Sequence, residues 1–157
     1  MKQSVQFSDA IHIMVYIAIV EDPKLLKSDI ISSSVQTNAS NVRKIMGNLK
    51  HAGLIVSHQG RVTPRLAKAV SDISLLDIFK SLPGENILLQ TDRKTNLNCV
   101  IGRNIQQVLS EKYKEIQDVA EEEMGRTCLS DIISNLSKRA IRENETYVRE
   151  LSQFIID

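Results

Sequence analysis

The chain has 157 residues, of which 42% are hydrophobic and 25% charged, and a formal net charge of +1; these values are ordinary for a soluble globular protein. Its most apolar run, residues 10–20, is too short to cross a bilayer, and no basic-then-apolar leader opens the sequence, so we expect a cytoplasmic protein. Two cysteines are too few for a disulfide framework, and we expect both to begin as thiols.

The first half of the chain carries the excess of positive charge. Residues 1–82 hold ten Lys or Arg against six Asp or Glu, whereas residues 83–157 hold ten against thirteen. Residues 30–71 contain six basic residues and no acidic one. Because a carboxylate repels phosphates, an acid-free basic segment favours a nucleic-acid partner. A basic face that meets only solvent is the alternative.

The predicted elements of residues 1–82 follow a known order. Apolar side chains at helical spacing predict a helix over residues 7–20, and a short segment over residues 29–34 follows. Asn38 is a good cap for a helix over residues 39–52. The runs "LIVSH" and "RVTPRL", separated by the turn signal "QG", predict a β-hairpin. Helix, helix, turn, helix and hairpin make a winged helix-turn-helix domain.

The helix over residues 39–52 has an apolar stripe and an opposite stripe of hydrogen-bonding and cationic side chains. Arg suits guanine and Asn suits adenine in the major groove, and the hairpin can hold the DNA backbone or reach the minor groove. The predicted DNA-binding residues are Ser28, Thr37, Asn38, Ser40, Asn41, Arg43, Lys44, Asn48, Lys50, Gln59, Arg61 and Arg65.

A second region begins after a further short helix. The capping box of Ser74 and Asp77 predicts the start of that helix, and we place a domain boundary behind it. Residues 83–100 lack clear periodicity and are interpreted as a linker or sensor loop. A long helix is predicted over residues 101–126, and C-terminal helices over residues 127–157. The fold class is therefore mainly α with a small β-hairpin wing.

The long helix carries a continuous apolar stripe that needs a partner. The N-terminal domain can cover only part of it, so a second copy of the same helix is the simplest partner; a hairpin with the C-terminal helix is the alternative. The predicted dimerisation residues are Ile105, Val108, Leu109, Tyr113, Ile116, Val119 and Ala120.

Patterns for catalysis and metal binding are missing from the sequence. It has no glycine-rich phosphate loop, no metal-spaced cluster of His and Cys, and no nucleophile with a base at a suitable spacing. We therefore expect neither an enzyme nor a metal cofactor.

The run "NASNVRKIMGNLKHAGLIVSHQG", which starts at Asn38, resembles the recognition helix and wing of the Rrf-two (Rrf2) family of bacterial winged-helix transcription regulators. The blocks "ISLLDIF", "NCVIGRNIQ" and "TCLSDII" match further parts of the family in the same order, and together the matches span about residues 5–135. The resemblance implies a homodimeric repressor of an imperfect palindrome, with the long helix swapped across the dimer. The wing departs from the family's Gly-Gly-Tyr, since this chain has Val62, Thr63 and Pro64 there.

The cysteines separate this chain from the iron–sulfur members of the family. Those members carry three closely spaced cysteines after the winged domain, where this chain has only Cys99, so we expect no cluster. Cys99 precedes the long helix, near the positive end of its dipole and one turn before Arg103, and both features lower the pKa of a thiol. Cys128 is interpreted as a packing residue, and pairing of Cys99 with Cys128 of a second copy stays open.

The sequence thus predicts a sequence-specific DNA-binding transcriptional regulator that acts as a homodimeric repressor. Single cysteines sense oxidants in some members of the resembling family, so oxidation of Cys99 is predicted to release the DNA; an inert packed thiol is the alternative. Two other functions stay open. One is a small-molecule-responsive regulator with a pocket in residues 85–100, and the other is a winged-helix module that docks proteins.

Overall fold

The described part of the chain is mainly α-helical with one two-stranded hairpin, which confirms the predicted fold class. The structure, a computed structural model, describes the backbone of residues 2–58 and 61–143 and the side chains of residues 5–57 and 63–143. Its elements are α1 (Lys2–Ile19), α2 (Ser28–Val35), α3 (Ala39–His51), β1 (Ile55–His58), β2 (Arg61–Leu66), α4 (Leu75–Ser81), α5 (Val100–Arg126) and α6 (Leu129–Glu143). The predicted residue Gln59 and the C-terminal segment 144–157 lie outside the described residues.

The core lies where α1, α3, α4 and α6 meet. The inward stripe of α3 is Val42, Ile45 and Leu49, at offsets of three and four residues, and all three are buried. Phe7 of α1 packs edge to face on Phe79 of α4, with ring centroids 5.3 Å apart. From α1 the core receives Ala10, Ile13, Met14, Val15 and Ile17.

The chain passes from α3 into the hairpin through a residue in the left-handed backbone conformation. Gly53 has φ +73°, a conformation that glycine adopts without the steric cost of a side chain. β1 and β2 pair antiparallel, with Val56 opposite Arg65, and the register becomes irregular beyond Val56. Pro64 lies in this irregular part, where its missing N–H costs no ladder hydrogen bond.

α6 packs on the N-terminal domain and completes its core. Leu129 and Ile133 are fully buried in the same cluster as the inward residues of α1 and α3. The chain just before α6 pairs with the chain just before α4: Leu75 donates its N–H to the carbonyl of Thr127 at 2.9 Å, and Leu129 donates to the carbonyl of Ile73 at 2.8 Å. The described part of the predicted C-terminal region therefore belongs to the packing of the winged domain.

α5 is a long helix of which no residue is buried. Its 27 residues extend about 40 Å at a rise of 1.5 Å per residue. Its C-terminal half meets α4, where Lys80 Nζ lies 3.2 Å from Glu121 Oε2. None of the helices in the described part of the chain has both the length and the apolar character that a membrane span requires.

We expect Ile133→Ala to lower the free energy of unfolding by about 2–5 kcal/mol, because it removes buried methyl groups and leaves a cavity. Denaturant unfolding followed by circular dichroism measures this loss. Leu136→Ala on the same helix is the matched control: Leu136 is 42% exposed, so its truncation should cost about 1 kcal/mol or less. Equal losses for the two variants would contradict the packing of α6 on this core.

Candidate nucleic-acid interface

α3 presents an acid-free polar face to solvent. Successive helical residues are turned by 100°, so the burial of Val42, Ile45 and Leu49 turns the opposite side of α3 outward. The exposed residues of that side are Ser40, Arg43, Lys44, Gly47, Lys50 and His51. A Cβ atom added at Gly47 would meet nothing within 4 Å, so the middle of this face is open to close approach.

Asn38 begins α3 as its N-cap. Its Oδ1 accepts a hydrogen bond from the backbone N–H of Asn41 at 2.8 Å. This bond satisfies one of the amide groups that the first turn of a helix leaves without a partner. The cap therefore fixes where the exposed face of α3 starts.

Asn41 is held by neighbouring side chains and does not project freely. Its Nδ2 donates to Thr37 Oγ1 at 3.0 Å and to Asp9 Oδ2 at 3.3 Å. A bidentate contact with adenine needs an amide N–H as donor together with the amide oxygen as acceptor. Both amide hydrogens are engaged here, so only Oδ1 is available to a base. In this geometry Asn41 positions α3 on α1, in contrast to the adenine contact that the sequence predicts.

Asp9 is a contributor that sequence reasoning missed. It lies on α1, outside the acid-free segment 30–71, and reaches the first turn of α3 only through the packing of the two helices. No local pattern in the sequence could reveal this contact, because Asp9 and Asn41 are 32 residues apart.

The hairpin places further cations beside α3. Lys50 Nζ donates to Ser57 Oγ at 2.7 Å, which ties the end of α3 to β1. Arg65 is exposed on β2. Arg61 also belongs to β2, and the structure describes its backbone alone.

The other predicted residues lie at the margins of this surface. Ser28 is the first residue of α2 and is half-buried, as is Asn48 on the flank of α3. Thr37, in the turn between α2 and α3, is half-buried as well and engaged by Asn41.

The cations of this surface are free of carboxylate partners. Among the described side chains, Arg43, Lys44, Lys50 and Arg65 form no ion pair, whereas every ion pair found involves a residue of α5. Unpaired cations can release the counterions of a nucleic-acid backbone, which is the main source of its affinity for proteins. We name the exposed face of α3 together with the hairpin the basic surface.

Cys99 lies at the N-terminal end of α5, whereas the winged domain meets the C-terminal half of that helix. Cys99 is the exposed N-cap residue of α5, and the backbone N–H of Gly102, followed by that of Ile101, lowers the pKa of its thiol. Cys99 lies at the start of the helix, as predicted. Arg103, which was also expected to lower the pKa of the thiol, does not contribute to this shift. A Cβ atom at Gly102 would clash with the carbonyl oxygen of Asn96, so the turn before Cys99 closes on α5 only over a glycine.

The two thiols of one chain are far apart. Cys128 follows the last turn of α5, so the length of that helix separates it from Cys99 by about 40 Å. A disulfide requires Cα atoms within about 7 Å. The two cysteines therefore cannot pair within one chain.

Comparison with known proteins identifies the family. A family model described as "Rrf2: Iron-dependent Transcriptional regulator" matches residues 3–135. The chain belongs to the Rrf2 family. Its relative YwnA of Bacillus subtilis (strain 168), a proposed HTH-type transcriptional regulator, is 32% identical over 127 residues, which are 81% of this chain and 93% of YwnA.

Solved structures agree with this assignment. A crystal structure of a protein with a proposed DNA-binding role superimposes with a TM-score of 0.64 at 30% identity, over 82% of this chain and 98% of that one. CymR (YrzC), the global cysteine regulator of B. subtilis, superimposes with a TM-score of 0.58 over 81% of this chain and 91% of CymR. At 19% identity, CymR shows the shared fold alone. This chain thus has the fold of a bacterial DNA-binding transcription regulator.

The family description names iron, and the residues that the structure describes do not fit an iron site. No group of three His, Cys, Asp or Glu residues placed to hold a metal ion occurs within residues 2–58 and 61–143. Protein iron–sulfur clusters are held mainly by cysteine thiolates, and the two cysteines of the chain stand at opposite ends of α5.

We expect the Cys99 thiol to ionise at a lower pH than a free cysteine, because backbone N–H groups stabilise its thiolate. The pH dependence of alkylation by iodoacetamide, measured in a Cys128→Ser background, reports this titration. Gly102→Ala should move the midpoint upward, since its Cβ displaces the turn that carries Cys99. Gly47→Ala adds a Cβ in open space and should leave the midpoint unchanged. A midpoint at or above that of free cysteine would contradict this assignment.

Proposed function

We propose that this Rrf2 protein is a homodimeric repressor that binds a palindromic operator through the basic surface and responds to oxidation of Cys99. The observation that carries the proposal is the set of unpaired cations on the basic surface, within a segment of 42 residues that has no acid. A protein that met only solvent would have no reason to keep carboxylates away from these cations. A phosphate backbone provides that reason.

Recognition of bases is assigned to the outer face of α3. In helix-turn-helix proteins the second helix lies in the major groove with its N-terminal residues on the base edges. Arg43 and Lys44 occupy the first two turns of α3 and are exposed, and the guanidinium of Arg43 suits the two acceptors of guanine. Lys50 and Arg65 would hold phosphates on either side of the hairpin.

Dimerisation is assigned to one face of α5. Ile101, Val108 and Val119 are 73%, 52% and 67% exposed, and the 100° turn per residue puts them on one side of the helix. Burying apolar area of this kind against a second copy is favourable by roughly 25 cal/mol per Å². A two-fold pair would present two copies of α3, which matches the two half-sites of a palindrome.

The predicted dimerisation stripe divides between two faces of α5. Val108, Ile116 and Val119 are exposed, whereas Leu109, Tyr113 and Ala120 are half-buried against their own chain. The proposed dimer seam therefore consists of Ile101, Val108, Ile116 and Val119. Leu109, Tyr113 and Ala120 pack within their own chain. Ile105, which is half-buried, lies at the edge of this seam.

A redox response is assigned to Cys99. Its thiol is exposed and has a lowered pKa, the two properties that make a cysteine susceptible to oxidants. Its neighbours Leu97, Val100 and Ile101 leave an exposed apolar patch around it. If a second copy covers this patch, a polar oxidation product beside it would weaken the contact. We propose that this response needs no iron–sulfur cluster.

We expect Arg43→Ala to weaken specific DNA binding by about 1–3 kcal/mol, roughly 5- to 150-fold, because it removes a contact to a base. Lys50→Ala should instead reduce the slope of log affinity against log salt by about 1, because it removes a phosphate contact. Gel-shift titrations over a range of salt concentrations separate the two effects. Lys24→Ala changes an exposed cation outside the acid-free segment and should do neither. Unchanged binding in both test variants would contradict the assignment of α3 as the helix that contacts the DNA.

We expect Val119→Lys to make the protein monomeric, because it places a charge in the proposed seam. Val119 is exposed within the single chain, so the variant should still fold. Sedimentation velocity gives the oligomeric state, and circular dichroism checks the fold. Gln107→Lys is the matched control, since Gln107 is exposed and lies about 120° away from Val119 around α5, and it should sediment as a dimer. A dimeric Val119→Lys protein would contradict this seam.

A further inference from the structure

The side-chain amide of Asn41 is held in one orientation by a carboxylate from another helix. Asn41 Nδ2 donates to Asp9 Oδ2 of α1 at 3.3 Å and to Thr37 Oγ1 at 3.0 Å. The oxygen and nitrogen ends of an amide differ little in size, so hydrogen bonds determine which end faces which neighbour. Because an ionised carboxylate only accepts hydrogen bonds, the nitrogen end of this amide must face Asp9.

Thr37 alone would not fix this orientation. A threonine hydroxyl both donates and accepts, so Thr37 can bond to either end of the amide. Without Asp9 the amide is free to turn by 180°, with the Thr37 hydroxyl donating to Oδ1 and Nδ2 pointing away. The orientation of the Asn41 amide therefore depends on Asp9.

The backbone that carries Asn41 is fixed as well. Its N–H donates to Asn38 Oδ1 at 2.8 Å, and the N–H of Thr37 donates to the carbonyl of Ser32 in α2 at 3.1 Å. The first turn of α3 is thus supported by both α1 and α2. Within the described residues Asn41 Oδ1 accepts no hydrogen bond, so a single acceptor is presented from a fixed position.

Asn41 lies in the part of α3 that meets bases in helix-turn-helix proteins. It is the third residue of α3 and is half-buried, and base contacts come from the N-terminal residues of this helix. The turn of 100° per residue puts Asn41 about 60° from exposed Lys44, at the flank of the outward face. Its oxygen is therefore near the bases when α3 enters the major groove.

The bases differ in the group that they offer to such an oxygen. In the major groove adenine N6 and cytosine N4 donate hydrogen bonds, whereas guanine O6 and thymine O4 accept them. A lone acceptor can bond to the amino group of adenine or cytosine, and it meets an unfavourable second acceptor at guanine or thymine. The two-bond contact with adenine also needs an amide N–H, and both N–H groups of Asn41 are engaged.

We propose that Asp9 is a specificity-determining residue of DNA recognition. By fixing the Asn41 amide, Asp9 makes Asn41 select adenine or cytosine, and reject guanine or thymine, at one position of each half-site. Asp9 acts through Asn41 and is a positioning residue. This inference deepens the proposed DNA-binding function and rests on it.

The fixed amide is tested first without DNA, by the rate at which side-chain NH₂ groups of the full chain exchange with solvent in NMR spectra. Asn41 should exchange more slowly than Asn135, an exposed residue of α6. Asp9→Ala should raise the rate of Asn41 at least roughly twofold, because it removes a hydrogen bond, and should leave that of Asn135 unchanged. Equal Asn41 rates in the wild-type protein and in Asp9→Ala would overturn the fixed orientation.

The selection of bases is tested on operator DNA in which each position is varied in turn through the four bases. The position at which Asn41→Ala loses its base preference is the one that Asn41 contacts. At that position we expect the wild-type protein to prefer adenine and cytosine over guanine and thymine about three- to tenfold. Asp9→Ala should reduce this preference to less than about twofold and leave the preferences at the other positions unchanged.

Two further variants control for charge and for folding. Asp29→Ala removes an exposed carboxylate from the first turn of α2, so a general effect of charge on affinity appears in it too, and its base preferences should be unchanged. Asp9→Asn keeps the size of the side chain, but its amide both donates and accepts, so it should relax the preference as Asp9→Ala does. Circular dichroism checks that each variant is folded.

The inference would be overturned by a wild-type preference for guanine or thymine at the Asn41 position, or by Asp9 variants that keep the preference for adenine and cytosine. A uniform loss of affinity without a change in base preference would make Asp9 a structural contact alone. An Asn41→Ala protein with unchanged base preferences would also contradict it. In each case a base preference lost in Arg43→Ala leaves the proposed DNA-binding function standing, whereas a wild-type protein without base preference at any position contradicts both.

Discussion

Two backbone hydrogen bonds, between Leu75 and Thr127 and between Leu129 and Ile73, hold the rest of the structure in place. They join the starts of α4 and α6, so that α6 enters the core of the winged domain and α5 must end beside α4. Because α5 ends there, its other end projects about 40 Å away. The chain between α4 and α5, residues 82–99, runs back along α5 in the reverse direction. The separation of Cys99 from the basic surface has the same cause.

The charged residues of α5 and those of the basic surface differ in their partners. On α5 the charges are paired within the helix at spacings of three and four residues, as in Lys112 with Glu115 and Lys114 with Asp118. Such exposed pairs contribute little to stability, and α5 as a whole is acidic, with six Asp or Glu residues against four Lys or Arg. Among the described side chains, Arg43, Lys44, Lys50 and Arg65 have no such partners, so positive potential is concentrated on α3 and the hairpin.

Local patterns in the sequence were enough to predict the helices, the hairpin and the acid-free face of α3, because periodicity and capping depend on neighbouring residues. The place of α6 in the core was not predictable, since its bridge joins segments more than fifty residues apart. The contact of Asp9 with Asn41 was not predictable for the same reason. Because of this contact the Asn41 side chain is held against α1 and does not project freely. The apolar residues of α5 were found, but their division into an exposed group and a half-buried group depends on which parts of the folded chain lie against α5.

The most direct test of the central claim is a hydroxyl-radical footprint of the full chain on DNA from upstream of its own gene, taken with the protein reduced and after a thiol oxidant. We expect two protected half-sites whose centres are about one helical turn, or a multiple of it, apart. This protection should disappear on oxidation and persist in the oxidised Cys99→Ser protein. Uniform, weak protection without paired half-sites under reducing conditions would contradict a two-fold symmetric dimer that pairs through α5 and contacts DNA through α3.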